Sequence, residues 1–213
     1  MNITDRTIVV AGATSASGLA VTRALIDAGA RVVATGRSAD RLEPLRGAGA
    51  EVDVADATSL DEMTGLAARL GAVDAVLPLV GGWRGGGGLA GQSDADFAAL
   101  LPALEAVRAT SRAFDDALRA SPAGRFAIVS STSVGRPLAG GANYAAIKAA
   151  AEAWTRAVAQ GFAKAARDAD EPLRAASVVF RAKTLEPASL ATRVLTLWDG
   201  DAADLNDQVI TLD

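Results

Sequence analysis

Short apolar runs alternate with longer stretches whose apolar positions recur every three or four residues, and the alternation runs the length of the chain. Runs at residues 7–11, 31–35, 50–54, 73–79, 125–130, 174–180 and 208–212 read as seven strands, rich in Val, Ile and Ala and bounded by Gly, Pro or polar residues. Pro78 must close its run, because proline cannot donate to a ladder. Between them lie helical patterns. Leu19, Val21, Leu25 and Ile26 mark one face, stopped by Gly29. Residues 39–47 make a short helix, and residues 59–70 a longer one opened by Thr58 or Ser59, with Glu62 completing a capping-box pattern. Residues 94–120 carry Phe97, Leu100, Leu101, Leu104, Val107 and Phe114 at helical spacing, with a kink or break at Pro102. Two more helices are expected at 144–161 and 189–197. Strand and helix in strict alternation predict an α/β domain, a doubly wound parallel sheet with helices on both faces, over residues 1–213.

Composition narrows the chemistry. Without histidine or cysteine, a Ser-His-Asp triad, a His-ligated metal, disulfides and thiolate catalysis are all excluded. A net charge of −4 with no basic block argues against a nucleic-acid or anionic-membrane surface. The first run leads straight into a glycine turn, which predicts neither a signal peptide nor a membrane span, and with the missing cysteines fits a cytoplasmic protein.

Three clusters carry candidate chemistry. The first is Gly12-Ala-Thr-Ser-Ala16-Ser-Gly18, between the first strand and the first helix. Free amide N–H groups and the helix dipole at such a junction favour an anion, so this is a phosphate cradle. After the second strand stand Arg37 and Arg41, where nucleotide-binding βαβ units that use NAD place an acid for the ribose hydroxyls. A guanidinium there suits a 2′-phosphate and prefers NADP(H) over NAD(H). Asp53, ending the third strand, offers an acceptor to an adenine amino group.

The second cluster is Ser130-Ser-Thr-Ser133 and Tyr144-x-x-x-Lys148. Residues four apart on a helix share a face, so Lys148 is expected beside Tyr144, where an ammonium lowers a phenol's pKa from its usual value of about 10. Tyr144 then becomes a candidate proton donor or acceptor. The third is residues 81–88, Gly-Gly-Trp-Arg-Gly-Gly-Gly-Gly, expected as a mobile loop in which Trp83 and Arg84 either line a site or cross the surface.

These signals in this order resemble the short-chain dehydrogenase/reductase family along essentially the whole chain. The resemblance implies a single Rossmann-type domain and an NADP(H)-dependent oxidoreductase acting on a small carbonyl or alcohol substrate. It matches Gly12, Thr14, Ser15, Ala16 and Gly18 to the diphosphate turn, with Ala16 where glycine is usual. Arg37 matches the reader of the 2′-phosphate, and Asp53 with Val54 the adenine pair. Tyr144 matches the catalytic acid/base and Lys148 the residue that tunes it and holds the nicotinamide ribose. The family's spacing from the tyrosine selects Ser131 as the catalytic serine, ahead of Thr132 and Ser133. It also implies a homodimer or homotetramer, formed by helix pairing.

The chain departs from the family pattern in three places. Pro78-Leu79-Val80-Gly81 stands where an Asn-Asn-Ala-Gly is usual, leaving Val80 and Gly81 as the cofactor-side residues. No asparagine lies between Phe97 and Phe114 to complete a proton relay. The Pro-Gly after the sixth strand falls near Phe180-Arg181, with Thr184 the residue left to reach the nicotinamide amide. The shortness of the segment beyond Thr184 predicts a reduced cover, with a pocket either open or completed by a neighbouring subunit. The departures also support a second reading, a nucleotide-binding sensor or partner subunit without redox chemistry.

Overall fold

The computed structural model describes residues 3–212; Met1, Asn2 and Asp213, the ends of the expected 1–213 domain, lie outside the described residues. Seven parallel strands form one sheet in the order β3-β2-β1-β4-β5-β6-β7. They are β1 (Thr7–Ala11), β2 (Arg31–Gly36), β3 (Glu51–Val54), β4 (Ala75–Pro78), β5 (Arg125–Ser131), β6 (Ala176–Ala182) and β7 (Val209–Leu212). The helices are α1 (Ala16–Asp27), α2 (Ala39–Gly47), α3 (Leu60–Leu70), α4 (Asp94–Leu100), α5 (Pro102–Ala120), α6 (Ala142–Asp168), α7 (Pro187–Leu195) and α8 (Ala202–Leu205).

Two cores sandwich the sheet. Ile8, Val10, Val32 and Phe180 pack on the side of α1, α2 and α7; Val9, Ala11, Val33 and Ile128 pack on the side of α3, α5 and α6. That is why β1 is apolar at every position: both of its faces are buried. Strand order reverses between β1 and β4, opening a crevice at the carboxyl ends of the strands.

Local signals set most boundaries. Ser15, Ser38, Ser59 and Ser93 each accept a backbone N–H as the cap of α1, α2, α3 and α4. The α3 box is only half formed, because the Glu62 carboxylate turns to the Asp56 N–H at 2.8 Å instead of that of Ser59. Pro102 does break the long helical stretch, serving as the first residue of α5.

Other boundaries moved. Helix α6 runs past Gly161 to Asp168, since buried Phe162 anchors the next turn against the α5 side. Strand β6 lies two residues later than its apolar run, because Arg181 and Ala182 still pair with Thr211 and Leu212 of β7. The short α8 has no apolar periodicity to announce it.

A buried arginine closes the amino end of β5. Arg125 is fully buried and donates to four carbonyls: Leu197 at 2.6 Å, Gly124 at 2.8 Å, Arg174 at 3.1 Å and Gly200 at 3.2 Å. Burial, then the neighbouring Arg6 charge, push its pKa down to about 10 against the pull of Asp201. Trp198 donates to Ala123 O at 3.1 Å beside it. The chain after α7 is thereby pinned to the strand, and no helix of the described residues is long and apolar enough to cross a membrane.

Candidate active site

The crevice holds two cavities. The larger, about 860 Å³, is bordered by Ser131, Tyr144, Lys148 and Thr184; the smaller, about 520 Å³, by Gly12, Thr14, Arg37 and Arg41. Ser15 and residues 79–82, including Val80 and Gly81, line both, so the two are neighbouring chambers.

The glycine turn is built for close approach. Gly12 has φ +77°, and a Cβ on it would stand 2.9 Å from Val80 Cγ2. A Cβ on Gly18 would meet Ala13 O at 2.5 Å, so helix α1 packs directly on its own turn. Ser15 Oγ accepts the Gly18 N–H at 3.0 Å. Ala16 is exposed and lines neither cavity, so its methyl does not narrow the chamber at the turn. Arg41 donates to Thr14 O at 3.2 Å and braces the turn, leaving exposed Arg37 facing the smaller cavity. Arg84 lines that cavity too.

Asp53 and Val54 line neither cavity. The strand pleat turns Asp53 toward α3, where Arg69 takes its carboxylate at 2.7 Å, and Val54 is 55% exposed. The carboxylate that borders the smaller cavity is Asp56, fixed by the Thr58 N–H at 2.9 Å and the Thr58 hydroxyl at 2.8 Å. Asp56 lies in the turn two residues beyond β3, where the strand's spacing gives no signal for it.

The catalytic candidates converge from two elements. Ser131 is the last residue of β5 and caps a 3₁₀ turn at Thr132–Val134, its Oγ accepting from Ser133 N at 3.1 Å and Ser133 Oγ at 2.9 Å. Thr132 and Ser133 line the cavity beside it. Tyr144 and Lys148 share the first turns of α6.

The expected tuning of Tyr144 by Lys148 is not what the geometry produces. Lys148 Nζ lies 5.8 Å from the centre of the Tyr144 ring and donates to Val129 O at 2.8 Å. Burial lowers the ammonium's pKa to about 8, with Glu152 opposing. Burial likewise raises the phenol above its ordinary value, while the Ser131 hydroxyl pulls it back. Desolvation dominates both groups here.

Behind them lies Glu152, one turn beyond Lys148 and bound to Arg181 Nε at 2.8 Å. Its burial favours the neutral acid, but the Arg181 hydrogen bonds, the nearby Ser130 hydroxyl and the Arg181 and Arg156 charges outweigh it and hold the carboxyl below its usual range. The i,i+4 spacing from Lys148 was a legible signal for this neighbour.

The glycine-rich stretch is clamped rather than loose. Gln92 Nε2 donates to Gly86 O, Gly88 O and Gly140 O, and Gly86 N donates to Gly140 O at 2.7 Å. A Cβ on Gly85 would sit 2.4 Å from Gly140 O, and Gly86, Gly87 and Gly88 all have positive φ. Glycine here serves close packing and left-handed backbone. The loop splits its two large residues: Trp83 lines the larger cavity and Arg84 the smaller. No residue of α7 lines the larger cavity; from the chain after β6 only residues 183–185 do.

Among the described residues no group of His, Cys, Asp and Glu can hold a metal. The anion-favouring turn, the arginines at the smaller cavity and the adjoining hydroxyl–lysine chamber thus lie side by side in one crevice.

A family model described as short chain dehydrogenase matches residues 6–166. The chain belongs to the short-chain dehydrogenase family. No curated protein matches it by sequence. Solved structures similar to it include a "short chain dehydrogenase/reductase family protein" (23% identity, TM-score 0.84, covering 100% of this chain and 97% of the other). Another is a short-chain dehydrogenase from Shigella flexneri 2a strain 301 complexed with NADP (18%, TM-score 0.84, 99% and 98%). A third is a gluconate 5-dehydrogenase from Burkholderia cenocepacia J2315 in complex with NADP and tartrate (19%, TM-score 0.81, 100% and 96%). At these identities the likeness is one of fold.

Proposed function

We propose that this chain is an NADP(H)-dependent oxidoreductase that interconverts a small carbonyl and its alcohol. The observation that carries the reading is the convergence of Ser131, Tyr144 and Lys148 on a chamber that adjoins the Gly12–Gly18 turn. The residues fit the cofactor. The turn and the amino end of α1 receive its diphosphate, Arg37 its 2′-phosphate, Asp56 borders the adenosine chamber, and Lys148 and Thr184 stand on the nicotinamide side. Preference for NADP(H) over NAD(H) rests on Arg37, and two proteins of the same fold carry NADP.

Once bound, nicotinamide supplies or accepts the hydride. The protein handles the oxygen and the proton. Ser131 donates to the substrate oxygen and orients it, while the Tyr144 phenol gives its proton in reduction and takes it back in oxidation. Burial keeps the phenol protonated, the form reduction needs, while making it a weaker acid, so its proton passes only as negative charge develops on the substrate oxygen. Lys148, held by Val129 O beside the ring, keeps a positive charge near the developing phenolate.

Tyr144→Phe provides the test, since Tyr144 is the sole tyrosine of the chain. Turnover of any carbonyl the protein reduces should fall at least about 100-fold, with NADPH binding by calorimetry little changed. Full turnover in the variant would sink the assignment. The absence of asparagine from α4 and α5 favours the second reading, a nucleotide-binding sensor. That reading is identified by saturable NADPH binding with no hydride transfer to any carbonyl. The resemblance also carries a homodimer or homotetramer, which sedimentation equilibrium measures directly.

A further inference from the structure

We infer that the substrate is an anionic carbonyl or alcohol compound with an apolar body, its negative group taken by Arg136; this rests on the oxidoreductase reading of the same chamber. The chain as a whole is acidic, with a net charge of −4. Among the described residues that line the larger cavity there is no Asp or Glu, yet Arg136, Lys148 and Lys183 all border it. The smaller cavity, by contrast, sets Asp56 among its arginines.

The three cations are not equivalent. Lys148 is buried and committed to Val129 O. Arg136 and Lys183 are exposed, and neither has an ion pair or side-chain hydrogen-bond partner among the described residues. Lys183 adjoins Thr184, on the nicotinamide side. Arg136 instead lies on the short segment joining Ser131 to Tyr144, between the 3₁₀ turns Thr132–Val134 and Ala139–Gly141. It is therefore carried by the same stretch that places the hydroxyls acting on the substrate oxygen. A guanidinium there offers a planar fork for a carboxylate or phosphate.

Hydroxyl side chains line the floor around Ser131, and a separate part of the wall is apolar. Trp83 and Leu138 line the cavity yet are 62% and 70% exposed, which leaves a large hydrophobic surface open at the mouth. The Gln92 clamp to Gly140 fixes the Trp83 loop against the Leu138 segment, so this wall is preformed. A cation, an apolar wall and the Ser131–Tyr144 pair are what a keto acid or hydroxy acid with a hydrocarbon body requires.

The experiment uses the full chain with benzoylformate, benzoylpropionate and benzoylbutyrate, each beside its methyl ester. Two quantities are read: NADPH oxidation, and calorimetric binding to the protein saturated with NADP+. For at least one pair the acid should exceed its ester by about tenfold or more, the scale of one charge-assisted hydrogen bond. That preference should shrink with added salt and vanish in Arg136→Gln. Acids that bind in preference to their esters without being reduced would uphold the anion site at Arg136 and overturn its occupant as a substrate. Esters turned over as well as or better than acids in every pair would overturn the inference and leave the oxidoreductase standing. A preference kept in Arg136→Gln but lost in Lys183→Gln overturns the assignment to Arg136. Failure of every acid to bind the NADP+-saturated protein overturns it as well, and failure of NADPH itself to bind removes both readings.

Discussion

Strand β5 has a buried cation at each end, and the two have opposite fates. Arg125 at its start spreads its donors over four carbonyls and is fully buried. Lys148, against Val129 near its finish, has one carbonyl partner and faces a chamber of about 860 Å³. Both sit next to the same ladder and both are depressed by burial, to about 10 and about 8. The first remains charged throughout the physiological range and serves the fold. The second comes nearer neutral pH, and with a single carbonyl partner it has N–H groups to spare toward the chamber, as the proposed mechanism requires.

The comparison breaks most sharply at Arg125. Arg125→Met keeps the length of the side chain but strips four carbonyls of their donor, so urea denaturation should show a loss of roughly 3–5 kcal/mol. The segment from Leu197 to Gly200 should become open to protease first, since two of those carbonyls belong to it.

Lys148→Met is expected to act in the other direction on stability. Below pH 8 both folded and unfolded states carry the proton, so the native state bears the full desolvation cost of the ammonium. Removing it should stabilise the protein by roughly 1–3 kcal/mol there. Between the folded value of about 8 and the unfolded value of about 10.4 the unfolded chain holds the proton and the folded chain does not, so wild-type stability climbs and the variant's advantage shrinks. A melting series at three pH values reads this. A variant that is less stable at pH 7 would mean the Val129 hydrogen bond outweighs desolvation. Turnover should fall in the same variant by about 100-fold or more.

Tyr144 offers a smaller but cleaner measurement. As the only tyrosine, its ionisation alone governs the ultraviolet difference titration. The phenol should ionise above its ordinary value of about 10, because burial outweighs the Ser131 contact. In Lys148→Met the midpoint should not fall, since a nearby cation can only favour phenolate. A midpoint below 9 in the wild type would restore the lysine-tuned phenol that helical spacing alone suggests.

These residues also show how far the sequence could be read. The alternation of strand and helix, the turn at Gly12–Gly18 and the Ser131, Tyr144 and Lys148 set were all legible, because each depends on short-range spacing. The pleat of β3 was not. Which way Asp53 points depends on where pairing with β2 begins, since one residue of register turns the side chain to the other face of the sheet. Arg125 reads as an ordinary strand-opening arginine until the chain seventy residues later returns to offer Leu197 O. The direction of the Tyr144 shift was missed for a similar reason: spacing places an ammonium near a phenol but says nothing about how dry the place is.

The glycine stretch gives the smallest effect and the finest distinction. A run of glycines signals a loop, yet Gln92 and Gly140, the partners that order this one, carry no mark in the sequence. Gln92→Ala removes the donor shared by Gly86, Gly88 and Gly140 and, at the first turn of α6, the acceptor of the Asn143 N–H, which water can replace. These carbonyls are near the surface and water can replace the amide, so global stability should drop by only about 1 kcal/mol or less. The local consequence should exceed the global one. Amide exchange across residues 82–91 should quicken well beyond that of β5. KM for a reduced carbonyl should rise more than kcat falls, because Trp83 is the loop's contribution to the substrate chamber and Ser131 and Tyr144 stand on other elements. Equal losses in KM and kcat would mean the loop also holds the hydroxyl pair in place. No change in either would place Trp83 outside substrate contact.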